Sequence, residues 1–228
     1  MKYTVIVENI KTPIIHTDEE IITSAEKILK KAGIANAVKS LHVRKKSIDA
    51  RKKDNIVLVC SAAGSAEFER DISRIKLPQG VKIIEDKDDE ILFGTESLNA
   101  RPVIVGFGPA GMFCALELAK HGYDPIVLER GGNIDERIAK VNCFMNGGEF
   151  SSETNIQFGA GGAGTFSDGK LTTRIGDPLC RNVLESFCEL GAPSNILWQA
   201  KPHIGTDVLQ KIVCNFDQRI TELGGNVM

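Results

Sequence analysis

No stretch of this 228-residue chain approaches the roughly 20 consecutive apolar residues that a membrane helix needs. Surplus charge is missing as well. Twenty-eight Lys and Arg against 30 Asp and Glu leave a net charge of −2 and a pI of about 6.1. A balance of that kind points to neither a nucleic acid nor a membrane surface as a partner of the whole chain. Six cysteines (Cys60, Cys114, Cys143, Cys180, Cys188 and Cys214) contain no CxxC pair. Zinc-ribbon and dithiol spacings are therefore excluded, and reduced thiols in a cytoplasmic protein are expected. Histidine-based metal sets, a serine elbow and a P-loop lysine are absent too. The N-terminus, Met1 to Glu8, alternates like a strand and carries an acid, unlike a signal peptide.

What is present is the composition of an ordinary globular protein, 42% hydrophobic and 25% charged. The first part reads as strand, helix, strand, strand, helix, strand. Tyr3 to Val7 alternates. Thr17 with Glu20 forms a capping box, followed by Ile21, Ile22, Ala25, Ile28 and Leu29 on one helix face and Gly33 at the end. Val38 to Lys46 is the second strand, with Leu41 and Val43 facing one way, and Ile56 to Cys60 the third. Gly64-Ser65 then leads into a helix aligning Phe68, Ile72 and Ile75, and Val81 to Ile84 follows a Pro78-Gln79-Gly80 turn. This order predicts a ferredoxin-like βαββαβ domain of the α+β type. The charged stretch Glu85 to Glu90 opens a linker, giving expected domains of 1–95 and 96–228.

The second part turns glycine-rich and α/β. Pro102 to Val105 is a short apolar strand, expected to be buried on both faces. It runs into Gly106-Phe107-Gly108-Pro109-Ala110-Gly111. In a dinucleotide fold the first glycine allows the tight turn, the second lets backbone approach a pyrophosphate, and the third lets helix pack on strand. The helix that follows aims its N-terminal N–H groups at the phosphates. Met112, Ala115, Leu116 and Ala119 form its apolar face, Gly122 closes it, and Ile126 to Leu128 is the next parallel strand. Glu129 ends that strand 18 residues after Gly111, a spacing suited to an acid that accepts from an adenosine ribose hydroxyl. An acid there disfavours a 2′-phosphate. The spacing alone does not separate FAD from NAD.

A second glycine-rich run, Gly159 to Lys170, has five glycines in twelve positions. It reads as a flexible surface loop or as a loop bringing many N–H groups against a polar ligand. Further on, Asp177 and Pro178 open a helix ending before Gly191, with Leu179, Val183, Leu184 and Phe187 as an apolar stripe expected in the core. A last helix carries Val208, Leu209, Ile212, Val213, Phe216, Ile220 and Leu223. His203 is an acid–base candidate but suits a loop or capping role better. Seven positive residues between Lys39 and Lys53 could bind RNA, or could simply protect a strand edge from aggregation. No aromatic platform accompanies them, so nucleic acid is not the expected partner.

Val103 to Gly131 resembles the FAD domain of glutathione-reductase-like flavoproteins. Lys45 to Lys53, Gly161 to Leu171 and Lys201 to Asp207 are similar to a narrower group, FAD-dependent dehydrogenases with an N-terminal ferredoxin-like domain. The resemblance implies an FAD-dependent oxidoreductase passing hydride through the flavin, with NAD(P)H as a possible electron donor and a small-molecule substrate the sequence does not name. The FAD site it implies comprises Gly106, Gly108, Pro109, Ala110, Gly111, Glu129 and Arg130, then Gly161, Gly162, Ala163, Gly164, Thr165, Phe166, Ser167, Asp168 and Lys170. Lys170 would stabilise negative charge on a reduced ring, or else pair within its loop. The resemblance also implies an acid before Gly161, where this chain has Ala160. No catalytic acid or base is named. The alternative is a flavin-containing binding protein whose basic N-terminal domain recruits RNA or a protein. The resembling proteins are longer and the sequence stops at Met228 as a strand begins, so the Rossmann-like domain is expected to be partial and the chain an N-terminal fragment.

Overall fold

The computed structural model describes residues 2–68, 72–86, 97–173, 175, 177 and 179–228. The chain is mixed α/β, with one antiparallel and one parallel sheet. It divides into two compact units, Met1–Phe93 with Leu197–Ala200, and Gly94–Ile196 with Lys201–Met228. The expected boundary at residue 95 and most of the charged linker lie outside the described residues. Among the described residues no helix is long and apolar enough to cross a membrane.

In the first unit, β1 (Lys2–Pro13), β2 (Val38–Asp49), β3 (Val57–Glu67) and β4 (Val81–Glu85) form a sheet of order β2-β3-β1-β4, every neighbouring pair antiparallel. Helix α1 (Asp18–Lys31) starts where the capping box predicts. The Thr17 hydroxyl accepts from the Glu20 N–H, and the Glu20 carboxylate accepts from the Thr17 N–H. Its buried face, Ile21, Ala25 and Leu29, packs on Val5, Val7 and Ile10 of β1 and Cys60 and Ala62 of β3.

One expectation fails here, and another falls partly outside the described residues. β3 does not stop at Cys60 but continues through Gly64 and Ser65 to Glu67. The run Ser61 to Ala66 has little intrinsic preference, and pairing on both sides to twelve-residue neighbours holds it extended. A Cβ on Gly64 would collide with the Lys39 carbonyl, so glycine serves the close approach of β2 rather than a turn. The expected helix through Phe68, Ile72 and Ile75 falls partly on residues outside the described set; what is described is a 3-10 turn at Ile72–Arg74.

In the second unit, β5 (Val103–Val105), β6 (Ile126–Leu128) and β7 (Asn226–Val227) lie parallel in the order β5-β6-β7. Helices α2 (Pro109–Lys120), α3 (Ile134–Met145), α4 (Leu179–Glu189) and α5 (Thr206–Glu222) accompany them. Leu116 of α2, Ile212, Phe216 and Ile220 of α5 and Val127 of β6 share one core, and Phe113 packs edge-on against Phe187 and Phe216. β5 is not buried on both faces. Ile104 turns toward α2, but Val103 and Val105 are 59% and 84% exposed. Alternate residues of this strand thus face away from that helix and outward. Asp177 accepts from the Leu179 N–H at the start of α4, as expected of a cap; Pro178 lies outside the described residues. Of the stripe expected in the core, Phe187 and Leu184 pack there, while Leu179 and Val183 are exposed.

Candidate functional site

The carboxyl ends of three parallel strands meet at one place, and the loops that leave them carry the residues singled out by spacing. After β5 the chain turns at Gly106, whose φ is 93° and whose N–H donates to the Leu128 carbonyl. α2 begins at Pro109 with Gly108 as its cap residue, and no side chain caps it. The N-terminal amides of this helix are thus left for another acceptor. A Cβ on Gly111 would fall on the Gly106 carbonyl oxygen, so this glycine is required for the helix to start so close to the turn. Gly108 differs. Its φ of −76° suits any residue, and nothing lies within 4 Å of where its Cβ would be. The chain's own packing gives no reason for glycine there.

Glu129 follows β6. Its carboxylate accepts from the Phe107 N–H at 2.7 Å and from the Gly131 N–H at 2.8 Å, fastening the loop after β5 to the loop after β6. Each oxygen keeps further lone-pair capacity. Beside it lies a cavity of about 210 Å³, lined by Phe107, Glu129, Asn133, Glu136, Val213 and Asp217 among others. Burial pushes the Asp217 carboxyl up, a shift that its Thr221 partner partly offsets. Arg130 points elsewhere and pairs with Glu153 at 2.8 Å.

The two glycine-rich runs are in contact. The Gly161 N–H donates to the Phe107 carbonyl at 2.7 Å, and a Cβ on Gly162 would meet the Pro109 ring. Ala163–Phe166 forms a 3-10 turn in which Thr165 is fully buried, while Ala163, Gly164, Ser167 and Asp168 are exposed. Pro109 and Ala110 are exposed at the start of α2. Lys170 takes the loop-pairing alternative. Its ammonium lies 2.7 Å from the Asp168 carboxylate, each holding the other in its charged form: Asp168 is lowered and Lys170 raised. Pairing of Leu171 to Pro202 and of Ile204 to Gly169 stitches this loop to the Lys201 to Asp207 segment. His203 is part of that stitch, bridging to Lys170, and the cap of α5 is Gly205.

Nothing in the sequence reading singled out Arg137, yet it holds the second loop in shape. It is fully buried on α3 and donates to the carbonyls of Asn155, Ile156, Gly159, Ala160 and Gly162 at 2.6 to 3.2 Å. The Phe166 ring lies 4.8 Å from its guanidinium. Burial pushes its pKa down and the Glu129 charge pushes it up. The signal was there: Ile134, Arg137, Ile138 and Val141 keep helical spacing, and the arginine occupies a core position of that stripe. Ala160, where the resemblance implies an acid, has its side chain in the apolar core while its carbonyl serves Arg137.

Residues 7–64 match a family described as a domain of unknown function, DUF8436. An "Uncharacterized protein" of Clostridium beijerinckii (strain ATCC 51743 / NCIMB 8052) is 45% identical over 213 residues, which is 92% of this chain and 40% of the relative. The chain therefore spans well under half the length of that curated relative, and it is similar to it across both units.

Proposed function

We propose that the second unit is an FAD-binding domain of Rossmann-like type, and that the protein is an FAD-dependent oxidoreductase. The observation that carries the reading is Gly108, a glycine that nothing within the chain requires, standing beside an uncapped helix N-terminus. An approaching pyrophosphate supplies the missing reason. Strand order β5-β6-β7, with α2 and α5 preceding the second and third strands, supports the same fold. In the first unit the order β2-β3-β1-β4, all antiparallel, supports the ferredoxin-like reading.

The residues fit the group. The amides of α2 would hold the pyrophosphate, and Glu129, whose cavity has no arginine among the described residues that line it, would accept from a ribose hydroxyl. The Gly159–Gly162 stretch, seated on Phe107 and Pro109 and pinned by Arg137, would border the diphosphate on its other side. When bound, the flavin supplies the redox chemistry, and the chain binds, orients and excludes water.

The test is reconstitution. The chain mixed with FAD and desalted should keep a flavin spectrum, and Gly108→Val should lose it while circular dichroism is unchanged. Retention of flavin by Gly108→Val would sink the proposal. Anaerobic bleaching of the bound flavin by NADH or NADPH supports the oxidoreductase reading, and inertness to both counts against it.

A further inference from the structure

β3 runs through the antiparallel sheet, and both of its neighbours break register opposite the same residue. On β1, Val7 pairs with Ala62 and Ile10 with Cys60, so Glu8 and Asn9 together oppose Ser61. On β2, Val43 pairs with Ala62 and Lys45 with Ser61, so Arg44 is the extra residue. Asn9 takes a φ of 61°, a conformation few side chains adopt. Bulges bend a strand and re-aim its side chains, and they gather beside binding sites. Between these two lies a depression of about 290 Å³, lined by Glu8, Asn9, Arg44, Lys45, Ser47 and Ser61 among others.

Ser61 is 6% exposed, and its hydroxyl has no hydrogen-bond partner among the described residues. Cys60 and Ala62 pack with α1, so by alternation Ser61 faces the opposite side of the sheet, the side that its partner Lys45 shares. A buried hydroxyl without a partner is a cost that a ligand acceptor would remove. Arg44 and Lys45 form no ion pair among the described residues, whereas the Glu8 carboxylate is held by Lys82 at 2.9 Å. Arg44 and Lys45 thus line the depression without an ion-pair partner among the described residues, and the Glu8 charge is offset by Lys82.

We propose that this depression binds the phosphate group of a small molecule. Arg44 supplies a planar fork, Lys45 a point charge, and Ser61, Ser47 and Asn9 hydroxyl and amide donors, a set matched to a tetrahedral oxyanion. None of the described lining residues is aromatic, so bases of a nucleic-acid strand would find no stacking platform among them. The site is separate from the glycine-rich loops and stands whether or not those bind FAD.

The experiment is a titration of inorganic phosphate into the ¹⁵N-labelled chain at constant ionic strength, followed by amide shifts. Saturating shifts are expected at Asn9, Lys45 and Ser61. Arg44→Gln with Lys45→Gln should weaken binding by about tenfold or more. Ser61→Ala, which keeps the strand, should weaken it less. Glu8→Gln should tighten it, because it removes the carboxylate among the described lining residues and frees Lys82. Shifts confined to Gly106–Gly111, unchanged affinity in the double variant, or shifts at these amides by single-stranded RNA that phosphate cannot displace would each overturn the proposal.

Discussion

Gly108 and Gly111 stand three residues apart and answer to different constraints. The backbone at 108 is extended and its surroundings are open, so valine there costs the cofactor-free fold only the ordinary penalty of a poor cap residue, about 1 kcal/mol. At 111 even a methyl group overlaps a backbone carbonyl, and Gly111→Ala should cost about 1–3 kcal/mol or more whether or not FAD is present. Melts of both variants with and without FAD separate the two. Gly108→Val should lose the stabilisation that FAD gives and little else, while Gly111→Ala should melt early in either condition. Asp217 allows a test by pH. Its folded pKa is raised by burial above the unfolded value, so folding favours the protonated carboxyl. That contribution is complete below the unfolded pKa, near 3.9, and is lost as pH rises through the folded one. Asp217→Asn should therefore melt higher than the parent at pH 7, and the advantage should vanish below about pH 4. Equal melting at pH 7 would show that burial at this side chain carries no penalty.

Elements were legible wherever local chemistry and tertiary context agree. The capping box at Thr17 and Glu20, the stripe of α5 and the glycine turn after β5 each appear where spacing puts them. The full length of β3 is not visible in the sequence because its residues 61–66 are small and weakly committed, so that cross-strand pairing alone decides their state. The bulges at Glu8–Asn9 and Arg44 were invisible for the same reason: a bulge is a property of two strands, and one strand's pattern does not record it. The contact between the two glycine-rich runs was likewise hidden, since it depends on Arg137 reaching from α3 to five carbonyls of another segment. Arg137→Met would leave those carbonyls without their donor and should destabilise the chain by about 3–5 kcal/mol, the scale of breaking a buried charged network. Arg137→Lys should not rescue it, because a compact ammonium cannot serve so spread an array. Urea midpoints measure both, and a lysine variant as stable as the parent would contradict the clamp.

On the scale of the whole molecule, two apolar clusters form that share no residue among those described. Val5, Val7, Ile21 and Leu29 belong to one, Leu116, Ile212, Phe216 and Ile220 to the other. The partition is not a single cut in the sequence. Leu197–Ala200 belongs with the first unit, where the Lys46 N–H donates to the Trp198 carbonyl and the Lys46 ammonium lies over the Trp198 ring. No local pattern announces such a return, because a single bridge such as Lys46 to Gln199 forms only against a partner edge. Every residue proposed to hold FAD lies in the second unit. A ligand that binds only the folded form stabilises it by RT ln(1 + [L]/Kd), about 2.7 kcal/mol at a hundredfold excess over Kd. Calorimetry should accordingly resolve two transitions, and saturating FAD should raise the one that Phe216→Ala lowers while leaving the one that Leu29→Ala lowers in place. A shift of the Leu29-sensitive transition alone would move the flavin to the wrong unit, and a single transition carrying both substitutions would show that the two clusters melt as one.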